Sequence, residues 1–237
     1  MIFLRSAFFA VVMVLYTPIY SLIALMSAPL PGLARYRVIS GWARSMLWVA
    51  RWALGLTHRV DGLEHLPSQP TIFLSKHQSA WETLAFQLFL PPHAQVLKRS
   101  LLWIPFFGWG LALMSPISID RSRGTAAMKR LAEQGKERLA QGFSIVIYPE
   151  GTRTTPGMRR KYHLGGAWLA VKTGAPVVPI AHNAGLFWGK NAFFKRPGEI
   201  RVLIGEPISP KGLTPEALNR KVEDWIETRM ERLCPAA

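Results

Sequence analysis

Cysteine is nearly absent. The 237 residues hold one, Cys234, which excludes an intrachain disulfide and a cysteine-based zinc site. Acids are scarce too: 14 Asp and Glu stand against 29 Lys and Arg, a formal net charge of +15. Such an excess needs an anionic partner, whether nucleic acid, an anionic membrane or a phosphorylated substrate. Composition separates these. Hydrophobic residues reach 49%, nine residues are Trp, and mean hydropathy is positive. That favours a membrane surface and argues against nucleic acid. His58, His65, His93, His163 and His182 form no ligand-spaced set, so no metal is expected. Internal repeats, heptads and low-complexity segments are missing as well.

Charge is almost missing from residues 6–34. That run exceeds the ~20 residues a helix needs to cross a bilayer. Pro18, Pro29 and Pro31 interrupt it, and proline kinks or ends helices. Only Arg5 precedes it and no small-x-small cleavage site follows, so it reads as an uncleaved anchor that spans or re-enters the membrane. Residues 36–56 interleave Trp42 and Trp52 with Arg37, Arg44 and Arg51, whose spacing puts the arginines near one helix face. Indole rings and guanidinium stems together suit the headgroup level. The competing reading is an ordinary core-packing helix. The expected organisation is a two-helix membrane anchor over residues 1–58 and an α/β domain over 59–237.

From Val60 onward, short apolar runs alternate with helical patterns. Strands are expected at 71–74, 95–97, 116–119, 143–148, 177–180 and 199–204. Helices are expected at 79–90, 101–113, 125–141, 166–173 and 215–233, the last with Thr214 as N-cap and Pro215 at the first position. Alternation of this kind predicts a mixed, largely parallel sheet flanked by helices.

Several strand ends carry chemistry. The run Thr71-Ile72-Phe73-Leu74 leads to His77, and Glu82 follows as a helix begins. A histidine and a carboxylate at this spacing can act as a base and its orienter; alternatively, His77 ends a strand and Glu82 sits on a solvated face. Lys98 and Arg99 follow the second strand and lead into an apolar stretch with Trp103, Phe106, Phe107 and Trp109. This reads as a wall for an acyl chain or as a buried helix. Asp120 and Arg121 follow the third strand, and Tyr148-Pro149-Glu150-Gly151-Thr152-Arg153 closes the fourth. An Arg fork beyond a strand's carboxyl end suits a phosphate, though Glu150 and Arg153 could instead pair with each other. On parallel strands these ends converge on one rim.

Five blocks in order carry a resemblance: His77-x4-Glu82, Lys98 with Ile104-Pro105-Phe106-Phe107-Gly108, Ile119-Asp120-Arg121, Tyr148 to Arg153, and Val178-Pro179-Ile180. Over roughly Val60 to Pro207 the chain resembles the glycerolipid acyltransferase family, in particular its bacterial lysophosphatidic acid (1-acylglycerol-3-phosphate) O-acyltransferases. One departure is that the family's usual His-x4-Asp is His-x4-Glu here. The resemblance implies catalytic roles for His77 as base and Glu82 as its orienter. It implies that Arg153 and Lys98 grip a substrate phosphate with help from Arg121. Glu150 would order the loop or touch the glycerol, while Gly151 and Thr152 shape that loop. The implied reaction moves a fatty acyl chain from acyl-CoA or acyl carrier protein to lysophosphatidate, without metal or cofactor. The implied place is the cytoplasmic side of a bacterial inner membrane. Competing readings are an acyltransferase for another lysolipid or glycerol-3-phosphate, and a non-catalytic basic protein that binds membrane lipid.

Overall fold

The computed structural model describes residues 1–119 and 124–234. Two long helices come first, α1 (Ile2–Met26) and α2 (Gly32–Leu54). Then follow β1 (Leu56–Asp61), β2 (Ile72–Ser75), α3 (Trp81–Phe89), β3 (His93–Lys98), α4 (Phe107–Leu113), β4 (Ile117–Ile119), α5 (Gly124–Ala140) and β5 (Ser144–Ile147). The chain ends through α6 (Gly165–Thr173), β6 (Val177–His182), α7 (Ala184–Phe187), β7 (Gly198–Ile204) and α8 (Pro215–Leu233).

The strands form one seven-stranded sheet in the order β1-β7-β6-β2-β5-β3-β4. Strands β6, β2, β5, β3 and β4 run parallel; β7 is antiparallel to β6, and β1 is parallel to β7. The carboxyl ends of five strands therefore meet on one rim, as expected for four of them. Alternation along each strand builds two cores. Phe73, Val146, Val178 and Ile180 face α2 and α3, while Ile72, Leu74, Ile145 and Val177 face α6 and α8. Helices thus cover both faces, which suits strands buried on both sides.

Three expectations need correction. The boundary between residues 58 and 59 falls inside β1, an edge strand whose pairing with β7 ties it to the sheet. Helix α2 also belongs to the α/β body: Ala43, Met46, Leu47, Ala50 and Leu54 are buried in the same core as Phe73 and Val146. Its other face still exposes Trp48 and Trp52. Helix α1 is different. Among the described residues it is the one helix long and apolar enough to cross a membrane, and only 17% of its most apolar window is buried. It touches α2 and α4 and plants Phe9 in the core, but Phe8, Val11, Val14, Leu15, Ile19 and Leu22 point outward. Pro18 does not end the helix. The Thr17 and Ser21 hydroxyls bond back to the carbonyls of Met13 and Thr17 on either side of it. The expected helix over 101–113 is broken, because Pro105 holds Ile104 extended and Phe106 takes a φ of 62°; only Phe107–Leu113 continues as α4.

Candidate active site

Strand β2 is fully buried and delivers Lys76 and His77 to the carboxyl rim. The His77 peptide is held on both sides by the loop after β5. Its N–H donates to Glu150 Oε2 at 2.8 Å, and its carbonyl accepts from the Thr154 N–H at 2.8 Å. The ring stacks on Tyr148, with centroids 3.9 Å apart and planes 18° from parallel. Its Nδ1 lies 2.8 Å from Glu82 Oε1.

Glu82 sits in the first turn of α3 and is buried. Its Oε1 also accepts the N–H groups of Gln78 and Ser79, each at 2.8 Å, while Ser79 Oγ accepts the Trp81 N–H. Glu82 thus closes back from the first turn of α3 onto N–H groups that precede the helix, a local reason for a carboxylate at this position. Burial opposes ionisation of Glu82. The adjacent His182 and His77, with the Ser79 N–H, outweigh it and hold the carboxyl below its ordinary range. An ionised Glu82 can only accept, so His77 Nδ1 is the donor, and in the neutral imidazole the lone pair then lies on Nε2.

The other expected residues divide. Gly151 takes a φ of 70°, the left-handed turn that glycine favours, and it opens the short turn carrying Thr152 and Arg153, both half-buried. Arg153 has no ion pair among the described residues and lies close enough to Tyr148 for its charge to act there. Burial and the Glu82 charge push the Tyr148 phenol up; the Arg153 guanidinium opposes them. Lys98 ends β3 at the same rim, exposed. Arg121 and Asp120 lie outside the described residues. Glu150 does not face the open site. It is 1% exposed, its Oε1 meets Lys76 Nζ at 2.7 Å and Thr154 Oγ1 at 3.1 Å, and its Oε2 holds the His77 N–H. The expected contact of Glu150 with glycerol is therefore absent from this geometry; the carboxylate orders the loop from inside.

Two residues of the site were not singled out from sequence. Lys76 is buried between Glu150 and Glu227. His182 ends β6 and is fully buried, 3.9 Å from Glu82 Oε1. His182 Nε2 donates to the Lys76 carbonyl at 2.9 Å, and burial keeps its ring below the ordinary histidine pKa. The available signal was a histidine closing an apolar strand, Val177 to Ala181, as His77 closes β2. Among the described residues, no three His, Cys, Asp or Glu side chains come together to hold a metal ion. An apolar cavity of about 230 Å³ opens beside the loop, lined by Tyr148, Gly151, Val96, Ile147, Met128 and Leu131.

An open α/β sheet with a His–carboxylate pair at its carboxyl rim, beside a bilayer-length apolar helix, describes a membrane-associated enzyme. The chain belongs to the acyltransferase family, whose model matches residues 57–183. It is 48% identical over 210 residues to the 1-acyl-sn-glycerol-3-phosphate acyltransferase of Pseudomonas aeruginosa, covering 87% of this chain and 82% of that one. The mouse 1-acyl-sn-glycerol-3-phosphate acyltransferase alpha is 32% identical over 177 residues, 73% of this chain and 62% of the mouse protein. The crystal structure of the 1-acyl-sn-glycerophosphate (LPA) acyltransferase PlsC from Thermotoga maritima shares the fold. Its TM-score is 0.82 at 23% identity, covering 99% of this chain and 96% of that one.

Proposed function

We propose that this acyltransferase esterifies the free hydroxyl of lysophosphatidate with a fatty acyl group from a thioester donor, acyl-CoA or acyl carrier protein, to give phosphatidate. The observation that carries the reading is the 2.8 Å contact between His77 Nδ1 and Glu82 Oε1, which leaves Nε2 as the ring nitrogen available to a substrate hydroxyl. In the proposed reaction Nε2 takes the hydroxyl proton, the alkoxide oxygen bonds to the thioester carbonyl carbon, and the carbon–sulfur bond breaks. The proton on His77 then passes to the departing thiolate. Glu82 stabilises the imidazolium formed between these steps.

Arg153 and Lys98 supply cations at the rim for the acceptor's phosphate, a role extended to Arg121 on the strength of the family resemblance. Gly151 and Thr152 set the loop that aims Arg153. The cavity beside Tyr148 suits an apolar chain, since aliphatic and aromatic side chains line most of it. The outward apolar face of α1 supports membrane attachment, and the substrate pool then lies in the lipid leaflet. The proposed setting is the cytoplasmic face of a bacterial inner membrane, where acyl thioesters are at hand.

The test is release of free thiol and formation of product lipid by purified enzyme in vesicles, with both donor types and a panel of lysolipids and glycerol-3-phosphate. Wild type should prefer lysophosphatidate, and His77→Ala should lose activity by about 10²–10⁴-fold while staying in the membrane fraction. A His77→Ala enzyme that keeps most of its rate would overturn the base assignment.

A further inference from the structure

One buried cation lies behind the site, and nothing in the proposed chemistry uses it. Lys76 is 1% exposed. Its Nζ is 2.7 Å from Glu150 Oε1 and 2.9 Å from Glu227 Oε1, and it donates to the Met158 carbonyl at 3.3 Å. Tyr162 donates its hydroxyl to the same Glu227 oxygen at 2.7 Å. The network therefore joins three pieces of chain: the end of β2, the loop between β5 and α6 from Glu150 to Tyr162, and helix α8.

Glu150 makes this network more than a fastener. Its two oxygens have different partners. Oε1 takes the Lys76 ammonium and the Thr154 hydroxyl, and Oε2 takes the His77 N–H at 2.8 Å. We propose that Lys76 is a positioning residue: its ammonium fixes the Glu150 carboxylate that holds the His77 backbone, so α8 sets the place of the base through Glu227. This rests on the reading of His77 as the base.

Burial pushes the Glu150 carboxyl up, and the Lys76 charge is the largest influence opposing it. Without Lys76 a buried carboxylate loses its counter-charge and must take up a proton or move. Either change loosens the charge-assisted bond to the His77 N–H. A base displaced by about 1 Å can lose about 10²-fold in rate. A competing role is also physical: buried ion pairs often do no more than hold elements together. That role would alter melting temperature but leave the turnover of folded enzyme alone.

The experiment separates the two by kinetics. Lys76→Met, with folding checked by a cooperative melt, should lower kcat by about 10²-fold while KM for lysophosphatidate stays within about threefold. Lys76→Arg, which keeps the charge, should recover about tenfold of that loss. The double variant Lys76→Met/Glu150→Gln should lose no more than the worse single variant, since both act along one path. Folded Lys76→Met with near-normal kcat, a raised KM at normal kcat, or multiplicative losses in the double variant would each overturn the proposal. If Lys76→Met gives no cooperative melt, Glu150→Gln decides: near-normal kcat overturns the proposal, and a loss of about tenfold or more at unchanged KM supports it. His77→Ala is measured alongside, because an active His77→Ala enzyme defeats the underlying function whatever Lys76 does.

Discussion

Glu82 Oε1 accepts three hydrogen bonds, from His77 Nδ1 and from the N–H groups of Gln78 and Ser79. Two of these hold the turn that leads into α3 and one orients the imidazole, so a single substitution tests both. Glu82→Gln keeps the volume and one acceptor oxygen but removes the charge that would balance an imidazolium. Its kcat should fall by about 10²–10⁴-fold. The retained oxygen can still accept the Gln78 and Ser79 N–H groups, so the weaker, uncharged bonds should cost only about 1 kcal/mol of stability. Glu82→Asp keeps the charge and draws the oxygens back by one methylene, so it should retain more activity than Glu82→Gln. Thiol-release kinetics with a thermal melt on each variant check this, and an Asp variant no better than Gln would count against a role for the charge. The sequence made His77 and Glu82 visible because they are five apart and flank one strand-to-helix junction. Lys76 stayed hidden because its partners Glu150 and Glu227 are distant in the chain and only the sheet and α8 bring them together.

At the scale of elements, hydrophobic periodicity located most of the sheet and helices. Its failures have physical causes. Strand β1, Leu56-Thr57-His58-Arg59-Val60-Asp61, lies on the sheet edge, where charged residues are tolerated, so it lacks an apolar run. Helix α2 has an amphipathic pattern that serves the core on one side and exposes Trp48 and Trp52 on another, and periodicity alone does not separate a core from a membrane as the apolar partner. What the pattern could not show is how closely α1 approaches α2. Tyr20 on α1 donates to the Val38 carbonyl on α2 at 2.7 Å, directly over Gly41. A Cβ at Gly41 would overlap the Tyr20 hydroxyl. Gly41→Leu should therefore force the helices apart, break that bond and destabilise the enzyme by about 1–3 kcal/mol. A melt in detergent should drop by about 2–4 °C for each kcal/mol in a chain of this size. An unchanged melting temperature would mean that α1 is free to shift on α2.

At the scale of the whole molecule, acid should unfold this protein earlier than its high positive charge alone would. His93 opens β3 beneath α2, with Nδ1 3.1 Å from the Tyr36 hydroxyl and 3.0 Å from the Pro91 carbonyl. Burial pushes its pKa down to about 4, against an ordinary value of 6.5. Between those two pH values the unfolded chain binds a proton that the folded chain refuses, so stability rises with pH across the window. The stabilisation is fully present above the unfolded pKa and is lost as pH falls from about 6.5 to about 4, by roughly 3 kcal/mol at 1.36 kcal/mol per unit. Burial also lowers His58 and His182, and each adds loss of the same sign. The depressed Glu82 carboxyl adds a further loss at the acid end, as pH falls through its folded value. Denaturant titrations in detergent at neutral pH and at successively lower pH should show this decline. His93→Gln cannot titrate, so it should flatten the His93 share of the slope while leaving the rest. A slope identical to wild type would place the acid sensitivity elsewhere, in the other two histidines or in Glu82.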